Sequence, residues 1–123
     1  MNTNHALIVD DSRAIRRILS RMLEELGWEV HEAAHGRQAL EILESTDRMD
    51  VALVDWNMPE MNGLEFVKLV RASQRWGSLP LMMVTSETEF DNMEAALTAG
   101  ANEYAMKPFD QTVIRDKLSI LGF

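Results

Sequence analysis

Val51-Ala52-Leu53-Val54-Asp55 is the stretch that decides the fold, because four apolar residues run without a break into a carboxylate. A second such stretch lies near the N-terminus, where Leu7-Ile8-Val9 runs into Asp10-Asp11. Short, uninterrupted apolar runs are typical of strands that are buried on both faces of a sheet. Two of these strands side by side would bring three carboxylates together at one edge of the sheet. The carboxylates would repel one another unless a cation lay between them.

Short apolar runs alternate with segments of helical periodicity along the chain. Strands are predicted at Ala6–Asp10, Glu29–Ala33, Val51–Asp55, Leu79–Thr85 and Ala101–Met106. The first helix has the clearest pattern, an apolar stripe made of Ile15, Ile18, Leu19, Met22, Leu23 and Leu26. It stops at Gly27, which suits a left-handed C-cap.

Four more helices follow from the same periodicity. The second is predicted over Gly36–Thr46, and the others are marked by Leu64, Val67 and Val70, by Phe90, Met93 and Leu97, and by Val113, Ile114, Leu118 and Leu121. Strands that alternate with helices predict an α/β fold, a doubly wound parallel sheet of five strands with helices on both faces. No linker or low-complexity segment interrupts the pattern, so we expect residues 1–123 to form a single domain.

Composition excludes several classes of function. The 12 basic and 20 acidic residues give a formal net charge of −8, which argues against binding to nucleic acid. Arg13, Arg16, Arg17 and Arg21 are interpreted as a solvated helix face. There is no cysteine for a disulfide or thiolate site, no apolar run long enough to span a membrane and no signal-peptide pattern. We therefore expect a cytoplasmic protein that does not associate with membranes.

Polar side chains stand at the carboxyl ends of four predicted strands. Asp10, Asp55 and Thr85 end three of them, and Lys107 follows the fifth. In open α/β sheets, ligands bind outside the carboxyl ends of the strands. These four positions are the candidate functional site, because apolar or small residues there would serve folding equally well.

Four motifs make the chain resemble a family, the receiver domains of two-component response regulators. They are Val9-Asp10-Asp11-Ser12, the segment from Val54 to Gly63, Val84-Thr85-Ser86 and Lys107-Pro108-Phe109. The resemblance runs from about Ala6 to the C-terminus and is strongest to the single-domain chemotaxis (CheY-like) type. It implies a flavodoxin-like sheet with the strand order 2-1-3-4-5.

The resemblance assigns a role to each polar residue of the candidate site. Asp55 would be the phosphoacceptor, and a plain surface or helix-capping aspartate is the alternative. Mg²⁺ would be held by Asp10, Asp11, Asp55 and the backbone carbonyl of Asn57. Asp11 could also, or instead, be the N-cap of the first helix. Lys107 would offset charge on the incoming phosphoryl group, and the Lys107-Pro108 bond would be cis.

The resemblance also implies a switch. The Thr85 hydroxyl would bond a phosphoryl oxygen, and Tyr104 would then rotate inward, although strand propensity explains both residues equally well. Asn57 and Glu87 match side chains of fast-cycling chemotaxis receivers. They predict that the phosphoryl group is lost within seconds to minutes.

The predicted function is a phosphoacceptor in a chemotaxis-type pathway, and not a multiple-turnover enzyme. A histidine kinase would be the phosphodonor, and the fourth helix, fifth strand and fifth helix would bind a protein target such as a flagellar-motor switch protein. We expect a monomer. One alternative is a receiver domain excised from a larger regulator that has an effector domain. Another is a metal-dependent phosphatase with an aspartyl nucleophile, which would need Asp-x-Asp where this chain has Asp10-Asp11-Ser12.

Overall fold

A five-stranded parallel sheet forms the centre of the computed structural model, which describes residues 3–86 and 92–123. The strands are β1 (His5–Val9), β2 (Glu29–Ala33), β3 (Val51–Asp55), β4 (Leu81–Thr85) and β5 (Glu103–Met106). They lie in the order β2-β1-β3-β4-β5, and all four neighbouring pairs are parallel. The predicted fold class and strand order are therefore confirmed.

Within residues 3–86 and 92–123, five helices connect and flank the strands. They are α1 (Arg13–Glu25), α2 (Gly36–Ser45), α3 (Gly63–Ala72), α4 (Met93–Ala99) and α5 (Gln111–Ile120). Phe90, one of the three residues that marked the fourth helix in the sequence, lies outside the described residues. Within the described part of the chain, no helix combines the length and the apolar character that a membrane crossing requires.

The observed strand ends differ from the predicted ones where local hydrogen bonds intervene. Strand β4 begins at Leu81 because Pro80 has no N–H and the N–H of Leu79 closes a turn onto the carbonyl of Trp76. Strand β5 begins at Glu103 because the N–H of Ala101 bonds to Ala96 and completes the end of α4. Strand β1 ends one residue before Asp10, which leaves that side chain in the loop beyond the sheet.

The N-cap of α1 is not the residue considered in the sequence analysis, whereas the C-terminal end of α1 is as predicted. Ser12, not Asp11, is the N-cap of α1, since its hydroxyl accepts the N–H of Ile15 at 3.3 Å. Helix α1 gives way to Gly27, whose φ of +92° is the left-handed conformation predicted there. Helix α2 ends at Ser45, one residue earlier than predicted.

The two faces of the sheet bury separate cores, which explains why the strands read as unbroken apolar runs. One core contains Leu7, Val54 and Met83 and is covered by α2, α3 and α4. The other contains Ile8 and Leu53 and is covered by α1 and α5. Successive residues of a strand alternate between these cores, so both must be apolar.

Candidate acidic metal and phosphate site

The carboxyl ends of β1 and β3 bring three carboxylates together. These strands are neighbours, and Val9 lies opposite Val54, so Asp10 and Asp55 follow at the same level. Asp10, Asp11 and Asp55 each offer an oxygen, and the three oxygens lie within 4.8 Å of one another. The clustering expected from two apolar strands that end in acids is present.

Two of the three acids are buried. Asp10 is 1% exposed and Asp55 is 4% exposed, whereas Asp11 lies on the surface. Asp10 Oδ1 accepts the N–H of Ser12 at 2.8 Å. Asp10 Oδ2 is buried and has no hydrogen-bond partner among the described residues. A buried carboxylate oxygen without a donor is costly unless a cation is close.

Burial raises the pKa of Asp10 above that of an ordinary aspartate. The N–H of Ser12 and the charge of Lys107 lower this pKa, and the negative charge of Asp11 raises it further. The net upward direction means that the surroundings of Asp10 disfavour its charged form. An added cation would reverse this balance.

The donor set fits a hard divalent cation. Three carboxylates from two strand ends supply only oxygen, and Mg²⁺ prefers oxygen ligands and commonly keeps several waters besides. The surface position of Asp11 leaves one side open to water and to a phosphate group. Oδ2 of Asp10, which is buried and accepts no hydrogen bond from the described residues, is the structural sign that these residues suit such an ion.

Lys107, the residue directly after β5, brings a cation to the same place. Its Nζ lies 3.2 Å from Asp55 Oδ1 and 3.8 Å from Asp10 Oδ2. Its backbone N–H donates to the carbonyl of Thr85 at 2.6 Å, which ties it to the end of β4. The Lys107–Pro108 peptide bond is cis. The ammonium thus contacts two of the three carboxylates.

Thr85 lies next to this group, and Tyr104 lies one step further along the sheet. Thr85 is fully buried, and its hydroxyl donates to the carbonyl of Ser86 at 3.3 Å. Tyr104 is half-buried and pairs with Met83, two residues before Thr85. Side chains two residues apart on a strand share a face, so Thr85 and Tyr104 point to the same side of the sheet.

Two more residues, Asn57 and Glu87, were predicted to lie near Asp55. Asn57 is exposed and lies in the loop after β3, two residues beyond Asp55. Glu87 lies outside the described residues. The structure thus groups Asp10, Asp11, Asp55 and Lys107 directly, with Thr85 beside them.

Comparison with known proteins agrees with this geometry. The family of the response regulator receiver domain matches residues 6–119. The chain belongs to the response regulator receiver family. Receiver domains are signalling modules, and they bind Mg²⁺ at an acidic cluster of the kind seen here.

The chain is similar to several chemotaxis proteins. The chain is 46% identical to chemotaxis protein CheY1 of Helicobacter pylori over 116 residues, 94% of each chain. It is also 46% identical to the chemotaxis protein CheY homolog of Campylobacter jejuni, over 94% of this chain and 91% of that one. The solved structure of chemotaxis response regulator CheY4 of Vibrio cholerae superposes with a TM-score of 0.90 at 37% identity, covering 98% of this chain and 99% of that one.

Arg16 contacts the backbone of Asp10, and the sequence interpretation missed this contact. Its Nη1 donates to the backbone carbonyl of Asp10 at 2.7 Å, and its Nε lies 3.3 Å from Glu32 Oε1. The interpretation as a solvated helix face holds for Arg13, Arg17 and Arg21, which are exposed, but is wrong for Arg16, whose side chain is 16% exposed. One turn of α1 places Arg16 over the end of β1, so it fixes the backbone that carries Asp10.

Gly63 lets helix α3 start against the backbone of Asp55. Its N–H donates to the carbonyl of Trp56 at 2.8 Å. A Cβ added at Gly63 would lie 3.0 Å from the carbonyl oxygen of Asp55 and 3.0 Å from the Cα of Trp56. Backbone atoms of a buried strand end cannot yield cheaply, so any side chain here would displace Asp55.

Gly63→Ala is therefore expected to destabilise the fold by about 1–3 kcal/mol, the range for overpacking. The matched control is Gly36→Ala, because Gly36 also begins a helix and the three atoms nearest to its added Cβ all belong to the side chain of Met61. That thioether can move, so a smaller loss is expected. Urea unfolding of both variants measures the difference. An equal loss in the two variants would contradict the backbone clash.

Proposed function

We propose that this chain is a phosphoacceptor response regulator of a chemotaxis-type pathway, phosphorylated on Asp55 by a histidine kinase. The observation that carries the proposal is the surrounding of Asp55. Its carboxylate is almost fully buried at a strand end, 3.2 Å from the Lys107 ammonium and within reach of two further carboxylates. A plain surface or capping aspartate needs neither the burial nor these neighbours.

The reaction follows from the groups at hand. A carboxylate oxygen of Asp55 attacks the phosphorus of a phosphohistidine, so an O–P bond forms and the N–P bond breaks. The imidazole leaves and takes a proton from solvent. Lys107, already in contact with Asp55, offsets negative charge on the phosphoryl oxygens as they arrive beside the acids. The product is an acyl phosphate, a reactive species suited to a transient signal.

The metal ligands in this proposal are the carboxylates of Asp10, Asp11 and Asp55, with the backbone carbonyl of Asn57 as a further ligand by analogy with the family. Bound Mg²⁺ would supply positive charge for the phosphoryl oxygens and relieve repulsion among the acids. Asp10 contributes its buried Oδ2, which has no other described hydrogen-bond donor. Arg16 holds the backbone of Asp10 in place for this role.

Thr85 and Tyr104 form the switch in this proposal. The 3.3 Å bond from the Thr85 hydroxyl to Ser86 is long for an O–H···O bond, so exchanging it for a bond to a phosphoryl oxygen costs little. Movement of Thr85 frees space on the face that it shares with Tyr104, and the tyrosine ring moves inward. Phosphorylation thereby shifts an existing equilibrium between two ring positions.

The output of the proposed function is binding to a protein. The surface formed by α4, β5 and α5 carries Tyr104 and would contact the target, with a flagellar-motor switch protein as the class that the family resemblance implies. We propose that residues 1–123 act as one receiver domain, monomeric and in the cytoplasm, and that the chain turns over only its own phosphoryl group. The net charge of −8 supports a protein partner over nucleic acid.

The proposal is tested with acetyl phosphate, a small phosphodonor that replaces the kinase. Intact-mass spectrometry should show one phosphoryl group per chain in Mg²⁺ and almost none after chelation with EDTA. Tandem mass spectrometry should place the group on Asp55. Labelling that does not need a divalent cation, or that falls on another residue, would overturn the assignment.

The lifetime of the phosphoryl group is a separate prediction. Asn57 is a small, exposed side chain close to the acceptor, so it leaves a path for an attacking water. We expect the purified phosphoprotein to lose its label within seconds to minutes in Mg²⁺. Release of radiolabelled phosphate after removal of the donor measures this rate. A phosphoprotein that survived overnight under these conditions would contradict the prediction.

A further inference from the structure

Three side chains meet at the free edge of β5, which is the last strand of the sheet. Glu103 Oε1 accepts the backbone N–H of Tyr104 at 2.9 Å. The same oxygen accepts from Lys117 Nζ at 3.1 Å. Lys117 Nζ also lies 4.7 Å from the centre of the Tyr104 ring, within the distance of a cation–π contact.

The ion pair is not an ordinary surface pair. The side chains of Glu103 and Lys117 are only 14% and 26% exposed, so both charges are partly desolvated and screened less by salt. Glu103 also satisfies an outward backbone N–H of an edge strand, a group that would otherwise be open to another strand. These contacts fix the carboxylate, and the carboxylate fixes the ammonium.

Lys117 approaches Tyr104 from the opposite face of the sheet. Helix α5, which carries Lys117, packs through Ile114 and Leu118 on the core shared with α1. Tyr104 packs against the other core, which α2, α3 and α4 cover. Lys117 therefore reaches around the edge of β5 to lie over the ring, and it connects the two layers at this point.

We propose that Glu103 and Lys117 are positioning residues that hold the Tyr104 ring in the orientation seen here. A rotation of the ring away from the ammonium loses the cation–π contact, and Glu103 prevents the ammonium from following. Contacts of this kind favour one ring orientation by about two- to fivefold. The inference rests on the proposed function only in taking Tyr104 as the switch aromatic, and it adds a regulator of that switch.

These contacts then set the ratio between the two positions of the Tyr104 ring in the unphosphorylated chain. In a switch that works by population shift, the ratio reached after the signal is the resting ratio multiplied by the preference of the signal for the active state. Glu103 and Lys117 tune that ratio from outside the phosphorylation site. A target that binds the α4, β5 and α5 surface would meet the same two residues.

The chain contains a single tyrosine, which makes the test direct. In protein labelled with ¹³C and ¹⁵N, the three-bond couplings from Tyr104 Cγ to the backbone nitrogen and carbonyl carbon give the χ1 populations. The measurement is made without Mg²⁺ or phosphodonor. Lys117→Met should lower the ratio of the main rotamer to the others by about two- to fivefold, and Lys117→Arg, which keeps the cation, should restore it.

Two further variants separate positioning from general stability. Glu103→Gln removes the charge that holds Lys117 and should lower the rotamer ratio in the same direction. Arg115→Gln changes an exposed cation of the same helix and should leave the ratio unaltered. An unchanged ratio in Lys117→Met, or equal ratios in Lys117→Met and Lys117→Arg, would overturn the inference, whatever happens to the melting temperature.

The same couplings distinguish this inference from the proposed function. Beryllofluoride with Mg²⁺, added to the wild-type chain as a mimic of the phosphoryl group, should change the rotamer ratio if Tyr104 is the switch. No change with beryllofluoride, together with a clear effect of Lys117→Met, would reject the switch role and retain the positioning contact. The converse result would retain the switch and reject the role of Lys117.

Discussion

Asp55→Asn is expected to abolish phosphorylation by acetyl phosphate in Mg²⁺. The amide has nearly the same shape, but its oxygen is a far weaker nucleophile than a carboxylate oxygen. In the protease subtilisin, loss of the covalent nucleophile lowers the rate about a millionfold. The substitution also removes one of the three acids that repel one another, so the fold should persist. The measurement is the phosphoryl mass shift of the intact chain.

The control makes the same substitution on an exposed acid. Asp47→Asn changes an exposed aspartate that pairs with Arg75 away from the site, and labelling should continue at the wild-type rate. Circular dichroism of Asp55→Asn checks that the variant is folded. A folded Asp55→Asn that still gained a phosphoryl group, on Asp10 or Asp11 for example, would show that another carboxylate is the acceptor.

The position of the acidic site could be predicted because it depends on local sequence. Apolar runs that end in Asp10 and Asp55 must place both residues beyond the carboxyl ends of buried strands. Parallel strands bring those ends to one edge of the sheet, whichever strands are neighbours. That β1 and β3 are neighbours came from the family resemblance, since the spacing of the runs alone does not determine strand order.

The contacts that support the site depend on how separate elements pack, and the sequence shows no sign of them. Arg16 differs from Arg17 only in which side of α1 it occupies over the end of β1. The pairing of Glu103 with Lys117 depends on how α5 packs against the edge strand β5. The N-cap of α1 was open to two adjacent residues of suitable type, Asp11 and Ser12, and only the backbone geometry selects Ser12.

Asp10→Asn is expected to be more stable than the wild type without Mg²⁺ and less stable than the wild type when Mg²⁺ is present. Without the ion, the buried and charged Asp10 lies in surroundings that raise its pKa, so its charge costs free energy in the folded chain. Asparagine keeps an oxygen to accept the N–H of Ser12 and removes the charge. The free energy of unfolding should rise on the order of 1 kcal/mol, or about 4 °C in melting temperature.

With Mg²⁺ present the order of stability should change. A ligand at about a hundred times its Kd stabilises the chain that binds it by about 2.7 kcal/mol. Wild-type protein should gain this amount, whereas Asp10→Asn has lost a buried ligand oxygen and should gain much less. Thermal unfolding at matched Mg²⁺ concentrations measures both effects. Asp11→Asn is the comparison without burial, and its stability in EDTA should lie within about 0.5 kcal/mol of wild type.

The difference between the variants should also depend on pH with a definite sign. Because the pKa of Asp10 is raised in the folded chain, the folded state takes up a proton at a higher pH than the unfolded state does. Acidification through that raised pKa neutralises Asp10 and relieves the cost that the asparagine removes permanently. In EDTA, the advantage of Asp10→Asn should therefore be largest at neutral pH and shrink as the pH falls, while other groups titrate alike in both proteins. An advantage that grew on acidification would mean that Lys107 and Ser12 stabilise the charged carboxylate more than burial destabilises it.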